Sequence, residues 1–150
     1  PELKLDLPSN AFLPGDYVVK EESRLDAYRR LADVTSSADV EDIRAEWLDR
    51  YGPLPEPALA LIGVGQLRAE CHRVGLTELV VADGRARMTP VVLKASQTMR
   101  LKRIAQHPDW NEKLGLLTIT LPRTSTGKLI EHEVVPYLID FLQQLFEPAN

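Results

Sequence analysis

The first twenty residues have the pattern of an extended segment. Over residues 3–7 leucine alternates with polar residues, which is the period of a half-buried β-strand. Pro8 ends the alternation, and Pro14-Gly15-Asp16 has the composition of a turn. The pattern therefore predicts a short strand followed by an extended lead-in.

Residues 21–75 change to the spacing of amphipathic helices. The first is predicted to begin near Glu21, the second to span Ala38 to Tyr51, and the third to begin at Pro55 or Pro57. Serine and threonine at 35–37 offer capping hydroxyls to the second helix, and glycines end the second and third helices. The predicted apolar stripes are Leu25, Tyr28, Leu31 and Ala32; Val40, Ile43, Trp47, Leu48 and Tyr51; and Ala60, Val64, Leu67, Cys71 and Val74.

The start of the third helix has the widest apolar arc. Leu59, Leu61 and Ile62 are predicted to be deeply buried there. Gly63 and Gly65 each cost about 1 kcal/mol of helix propensity relative to alanine. We expect the close approach of another backbone to compensate for these glycines.

From about residue 76 the pattern is that of a small sheet. Asp83-Gly84 between residues 78–82 and 85–89 is a strong signal for a two-residue hairpin. Residues 90–94 are predicted to extend the sheet. A short basic helix should follow over residues 96–106.

The last third of the chain adds one strand and one helix to this plan. His107-Pro108-Asp109 is expected to break the preceding helix, and residues 117–121 alternate as a strand with one buried face. A final helix carries Val134 to Leu145, with Pro136 either in its first turn or at a kink. The predicted fold class is α+β: about three helices, then a small, mainly antiparallel sheet with one or two packed helices.

Composition supports one globular domain. The chain has 150 residues, 44% hydrophobic and 27% charged, and we expect residues 1–150 to form a single domain, with 1–20 as lead-in, 21–75 helical, and 76–150 a sheet with helices. No apolar run is long enough to span a membrane, and the N-terminus does not resemble a secretory signal. Because the chain starts with proline, we expect it to be part of a longer polypeptide. The single cysteine suits a reducing compartment, the cytoplasm.

Charge is distributed unevenly. Residues 1–56 contain 13 acidic and 7 basic residues, whereas residues 57–150 contain 9 and 11. The acidic part is either a solvated surface or a face for a basic protein partner. A basic cluster in the second part is either a solvated surface, a nucleic-acid contact or a protein contact, and it lacks an aromatic residue for base stacking. Its members are Arg85, Arg87, Lys94, Arg100, Lys102 and Arg103.

The sequence shows no catalytic motif. Cys71 lies on a predicted buried stripe, and His72, His107 and His132 lack the spacing of metal ligands. The segment 124–128 resembles the end of a phosphate-binding loop, but proline occupies the position of its first glycine and the final hydroxyl residue is replaced by Leu129. We therefore expect a turn at 124–128 and predict no catalytic residue, metal or cofactor.

The second helix carries the main candidate site. At 100° per residue its apolar residues form one side, while Asp42, Glu46 and Asp49 fall opposite, with Arg50 at the edge. Glu46 and Arg50 have the spacing of a favourable i,i+4 pair. Asp49 lies in the last turn, where a carboxylate opposes the helix dipole. From these residues alone, a plain solvated face and a partner-binding face both remain open.

The end of this helix resembles a known family. Glu46-Trp47-Leu48-Asp49-Arg50-Tyr51-Gly52-Pro53-Leu54-Pro55 matches the signature E-x-x-D-R-[FY]-G-x-x-P in the C-terminal domain of bacterial transcription-repair coupling factors (Mfd). Leu13–Val18, the helix around Arg24–Ala32, and 67–76 also resemble that family. The resemblance covers roughly residues 1–80 and is weak from about residue 90, so no residue from 95–130 is assigned a role.

The resemblance implies a regulatory function. The family's full-length proteins are DNA translocases that remove stalled RNA polymerase and recruit excision repair, and their motor motifs lie outside this segment. The C-terminal domain packs on a UvrB-like N-terminal module of the same protein and hides the surface that binds UvrA. By this resemblance Glu46, Asp49 and Arg50, with Asp42 beside them, would contact the module, while UvrA and RNA polymerase would be reached only through the full-length protein. The alternative function is that of a nucleic-acid-binding accessory domain that uses the basic residues of 85–103, and it is less favoured than the regulatory one. Membrane contact is not expected.

Overall fold

The computed structural model describes residues 2–147. Its helices and strands follow the predicted order, except that a strand forms at Asp109–Asn111 and none forms at residues 90–94. The residue contacts divide the chain into two compact units. A helical unit comprises Ser9–Glu70, and a sheet unit comprises the residues up to Pro8 together with those from Cys71 onward. The elements are β1 (Lys4–Asp6), α1 (Glu21–Ala32), α2 (Ser37–Tyr51), α3 (Glu56–Val74), β2 (Glu78–Ala82), β3 (Arg85–Thr89), α4 (Ala95–Ile104), β4 (Asp109–Asn111), β5 (Leu116–Thr120) and α5 (Glu131–Leu145).

The helical unit has an apolar core from its lead-in and three helices. Val18, Val40 and Trp47 are almost completely buried in it, and Leu31 and Ile62 pack with them. The periodicity correctly placed Val40, Ile43 and Trp47 on the buried side of α2. Burial of these side chains stabilises the fold by roughly 1.5–3 kcal/mol for each large residue, and it fixes which side of α2 faces solvent.

Five residues of the helical unit that were predicted to be buried are exposed, among them Ala60 of α3. Leu25, Leu48 and Leu59 all keep much of their surface in solvent, and Ala32 is also exposed. In α1 the buried residues are Ala27 and Leu31, so the buried face is rotated from the predicted stripe. Each exposed leucine lies at the margin of an apolar arc, where periodicity alone does not separate buried from exposed positions.

Gly65 is required by a side chain rather than by a backbone. A Cβ atom at this position would lie 2.7 Å from Cδ1 of Leu31 and 3.2 Å from its Cγ. The expectation of a close backbone approach is therefore wrong at Gly65. The glycine instead gives room to the buried Leu31 side chain of α1.

The sheet unit contains one five-stranded mixed sheet in the order β1-β2-β3-β5-β4. The Asp83-Gly84 hairpin is confirmed: both residues have positive φ, 54° and 73°, as a tight two-residue turn requires. Strand β1 joins β2 in parallel, and the other pairings are antiparallel. The core of this unit includes Leu79, Met88, Leu117, Ile119, Leu138 and Leu142.

Two local predictions in the sheet unit are corrected. Residues 90–94 form no strand; the Val91 N–H donates to the Gly115 carbonyl at 2.7 Å, and Pro90 has no N–H to offer a neighbour. The sheet is extended instead by β4, which begins at Asp109, the last residue of the predicted break. Pro136 lies inside α5, beyond its first turn. Within residues 2–147, no helix combines the length and apolar character needed to cross a membrane.

Candidate protein-interaction surface

Helix α2 is well defined at both ends. The Ser36 hydroxyl accepts a hydrogen bond from the Asp39 N–H at 3.2 Å, which caps the N-terminus. Gly52 has φ 88° and its N–H donates to the Leu48 carbonyl at 3.0 Å, which ends the helix. With Trp47 buried against the core, the opposite side faces solvent. It carries Asp42, Glu46, Asp49 and Arg50, which we term the acidic face.

Tyr17 of the lead-in contacts the C-terminal end of α2 through its hydroxyl and its ring. The Tyr17 hydroxyl donates to the Gly52 carbonyl at 2.8 Å and lies 3.2 Å from the Trp47 carbonyl. Its ring packs against that of Tyr51 at 5.6 Å between centroids. Burial, and then the neighbouring Tyr51, raise the pKa of the Tyr17 hydroxyl. These contacts fix the turn that follows Asp49 and Arg50.

The lead-in is itself anchored on α1. The Leu13 N–H donates to the Tyr28 hydroxyl at 2.8 Å, and the Arg24 guanidinium donates to the Val18 and Val19 carbonyls. The hydrogen bond from Arg24 to the carbonyl of Val18, the residue next to Tyr17, is 2.8 Å long. The contacts form a chain from α1 through the lead-in to the end of α2.

Glu46 has an intramolecular partner that the sequence did not predict. Its carboxylate forms an ion pair with the Arg30 guanidinium on α1, with 39% and 49% of the respective side chains exposed. Among residues 2–147, Glu46 and Arg50 do not form the ion pair that their spacing predicts. Arg50 instead lies over the Tyr51 ring, 5.2 Å from its centroid, in a cation–π contact. Of the four predicted site residues, two therefore have contacts within the unit.

Asp42 and Asp49 are the free charges of the acidic face. Both are exposed, and neither forms an ion pair or hydrogen bond with another side chain in residues 2–147. Asp42 borders an open cleft of about 270 Å³ at the α1–α2 end. Its other lining residues are Arg30, Asp33, Val34, Asp39 and Ile43. A hydrogen bond from the Thr35 N–H holds the pKa of Asp39 below its ordinary value.

The comparisons with known proteins agree on one family. The sequence profile of the TRCF domain matches residues 7–107. The chain belongs to the TRCF domain family. The transcription-repair-coupling factor of Mycobacterium tuberculosis (strain CDC 1551 / Oshkosh) is 33% identical over 148 residues, which is 96% of this chain and 12% of that protein. The factor of Escherichia coli (strain K12) is 35% identical over 78 residues, or 52% of this chain and 7% of that protein.

The fold matches as well. A crystal structure of a C-terminal domain of transcription-repair coupling factor superposes with a TM-score of 0.77, covering 96% of this chain and 91% of that one at 17% identity. The mycobacterial match also extends the similarity well past residue 90, where the sequence resemblance was expected to be weak. This member of the TRCF domain family thus spans a small fraction of the relatives that it matches.

The basic cluster of this TRCF family member is divided among separate contacts. Arg85 donates to the His107 carbonyl at 3.1 Å, and Arg87 pairs with Glu78 at 3.4 Å. Arg100 donates to the carbonyls of residues 144 and 145 at the end of α5 and pairs with Glu147 at 3.8 Å. Three of the six bases are therefore engaged within the sheet unit. Lys102 and Arg103 remain exposed on α4.

The other candidate groups have structural explanations. Cys71 is buried, as predicted. The segment 124–128 is a turn, as predicted: Thr124 N–H donates to the Lys128 carbonyl at 2.7 Å, and Lys128 N–H to the Thr124 hydroxyl at 3.1 Å. The backbone N–H groups of Thr124, Gly127 and Lys128 thus donate within the turn. No group of three or more potential metal-ligating side chains occurs in the described part of the chain.

Sequence reasoning assigned no role to two residues that shape the acidic face. Tyr17 and Arg30 both lie in segments that resemble the family, yet their contacts with α2 join residues far apart in sequence. Spacing rules apply within one helix and cannot find such pairs. An arginine on the exposed side of the neighbouring helix is the only signal that could have indicated Arg30.

Proposed function

We propose that this chain is a non-catalytic regulatory domain, residues 1–150, of a transcription-repair coupling DNA translocase. In this proposal it packs on the UvrB-like N-terminal module of the same protein, masks the surface that binds UvrA, and so inhibits the protein until it is released. UvrA and RNA polymerase are met only through the full-length protein. Membership of the TRCF domain family supports the proposal that the chain is part of a transcription-repair coupling factor. In this proposal the acidic face makes the contact with the UvrB-like module.

The exposed, unpaired carboxylates of Asp42 and Asp49 on a fixed helix are the observation that carries this proposal. Ordinarily an acid in the last turn of a helix is slightly unfavourable, because it opposes the negative end of the helix dipole. A basic partner would compensate for this charge. Such a polar contact can dissociate, which a masking domain needs and a large apolar interface would resist.

The test is a double substitution in the full-length protein. Glu46→Ala with Asp49→Ala should leave the domain folded and raise the affinity for UvrA by at least about fivefold, the lower end of typical coupling between sites. Surface plasmon resonance with immobilised UvrA measures this directly. Glu22→Ala with Glu41→Ala is the matched control, because both acids are exposed and lie outside the acidic face.

The two variants change the net charge equally, so a general charge effect would move both. Binding of the separately produced UvrB-like module to the 150-residue chain provides the second measurement, and the substitutions in the acidic face should weaken it. If the Glu46/Asp49 double variant bound UvrA no better than the wild type, the masking proposal would be wrong. An equal gain in the control variant would also contradict it.

A further inference from the structure

Arg30 occupies a central position beside the acidic face. It lies in the last turn of α1, and about half of its side chain is exposed. Its guanidinium pairs with Glu46, and the same residue borders the cleft that contains Asp33, Asp39 and Asp42. Arg30 therefore lies close both to Glu46 of the family signature and to the aspartates that line the cleft. No other ion pair joins α1 to α2 among residues 2–147.

We infer that Arg30 is a positioning residue of the docking surface, by which we mean the acidic face together with Arg30. We also infer that it helps to determine which partner this surface binds. This inference rests on the proposed function, because it concerns the same surface and the same partner. Arg30 holds the Glu46 carboxylate in one orientation before the partner arrives. The docking surface is therefore formed by two helices, with Arg30 and Arg50 interspersed among the acids of α2.

The reason is the entropy of a long, exposed side chain. A glutamate on a helix surface samples several rotamers, and ordering it at an interface opposes binding. The ion pair with Arg30 restricts these rotamers in the free domain, so less freedom is lost when the partner binds. The fork of donors on a guanidinium fixes the direction of a carboxylate better than the single ammonium of a lysine does.

The pair also changes what the surface can recognise. Without Arg30 the surface would carry uncompensated acids at positions 42, 46 and 49 and would attract any basic protein. With Arg30 the charge of Glu46 is locally balanced, and Asp42 and Asp49 remain as the free acids. A partner with an ordered arrangement of basic and acidic groups fits this alternation better than a uniformly basic one.

Simple charge attraction and positioning predict opposite results for Arg30→Ala. Removing a cation from a face that binds a basic partner should strengthen binding if net charge decides the affinity. Positioning predicts weaker binding, by about five- to tenfold, because coupled charge pairs at interfaces commonly have effects of that size or larger. The loss should appear in the dissociation rate, since the net charge mainly affects association.

Stopped-flow or biolayer measurements of the 150-residue chain with the UvrB-like module test this. The matched control is Arg29→Ala. This neighbouring arginine lies in the same last turn, its side chain is 75% exposed, and it pairs with Asp26 of α1, at 3.4 Å, rather than with a residue of α2. It should leave the dissociation rate unchanged. Arg30→Lys keeps the charge and should give an intermediate dissociation rate. In the Glu46→Gln background, Arg30→Ala should have little further effect.

The outcomes separate this inference from the proposed function. If the wild-type chain does not bind the module, the proposed function and this inference both fall. If the wild type binds and Arg30→Ala binds equally or more tightly, the inference is overturned while the proposed function stands. A full loss that persists in the Glu46→Gln background would show that Arg30 acts independently of Glu46, which also overturns the inference. Thermal melting of each variant detects any general loss of folding.

Discussion

The family signature at the end of α2 contains residues with different physical roles. Trp47 is buried in the core of the helical unit, and Gly52 ends the helix with a positive φ. Asp49 is exposed and has no partner within residues 2–147. A motif match alone assigns all of these residues to one function. Stability explains the first two, whereas Asp49 has no structural role within its unit and is the residue on which the proposed contact depends.

Tyr17 provides a test at the scale of a single hydroxyl. Tyr17→Phe removes the donor to the Gly52 carbonyl and should lower the free energy of unfolding by about 0.5–1.5 kcal/mol, the usual net value of one hydrogen bond. Urea unfolding at neutral pH, followed by tryptophan fluorescence, measures this. An unchanged midpoint would show that the hydroxyl contributes nothing to the end of α2.

The same substitution predicts a pH dependence with a definite sign. The pKa of Tyr17 is raised in the folded state, by burial and then by Tyr51, so the folded state retains this proton more strongly than the unfolded state. The resulting stability is present below the unfolded pKa of about 10 and is lost as pH rises through the folded pKa. Tyr17→Phe should therefore lose less stability between neutral and strongly alkaline pH than the wild type does. An identical alkaline loss in both proteins would contradict this.

At the scale of elements, the packing of α1 against α3 depends on Gly65. Gly65→Ala would gain about 1 kcal/mol of helix propensity, but its Cβ would lie 2.7 Å from Leu31 Cδ1. Leu31 is buried and Val40 Cγ1 lies only 3.6 Å from the same point. We therefore expect overpacking to exceed the propensity gain, with a net destabilisation of about 1–2 kcal/mol.

A double variant identifies the cause of this effect. In the Leu31→Ala background the obstructing side chain is gone, so Gly65→Ala should become neutral or stabilising. Chemical denaturation of the four proteins gives the coupling free energy between the two positions. Additive effects would show that Leu31 does not explain the glycine.

Most elements could be predicted from the sequence because they depend on local signals. Ser36 caps α2, Gly75 with φ 80° follows α3, and Asp83-Gly84 forms the hairpin turn. The missed features depend on distant contacts. Strand β4 has three residues and exists through its pairing with β5. Strand β1 was predicted as a strand, but its parallel pairing with β2, about 74 residues later in the chain, was not.

The same limit applies to the candidate site: features within one helix were predictable, and contacts between helices were not. Periodicity within α2 correctly placed Asp42 and Asp49 on its exposed side. It could not show that Glu46 would pair with Arg30 instead of Arg50, because that choice depends on how α1 lies beside α2. Burial at the margins of an apolar arc depends on the same packing, which explains why Leu48 was wrongly assigned to the core.

At the scale of the whole molecule, the basic residues bear on the choice between a protein partner and DNA. The sequence has a net charge of −4, and three of the six clustered bases are engaged by intramolecular contacts. Duplex DNA binding depends on neutralised phosphates, with a slope of about −0.9 in log–log salt dependence for each one. We therefore expect only weak binding of the isolated chain to duplex DNA, disappearing at moderate salt.

Fluorescence anisotropy with a labelled duplex at about 50 mM and about 200 mM salt measures this, because a contact of several phosphates would change the affinity steeply over that range. Lys102→Ala with Arg103→Ala removes the exposed bases of α4 and should abolish any residual binding at low salt. Glu46→Ala with Asp49→Ala should leave DNA binding unchanged while weakening the contact with the UvrB-like module. Submicromolar binding that persisted at the higher salt and required Lys102 and Arg103 would favour a nucleic-acid function for the sheet unit. Such a result would not remove the masking proposal, because the two surfaces carry opposite charge and can be altered separately.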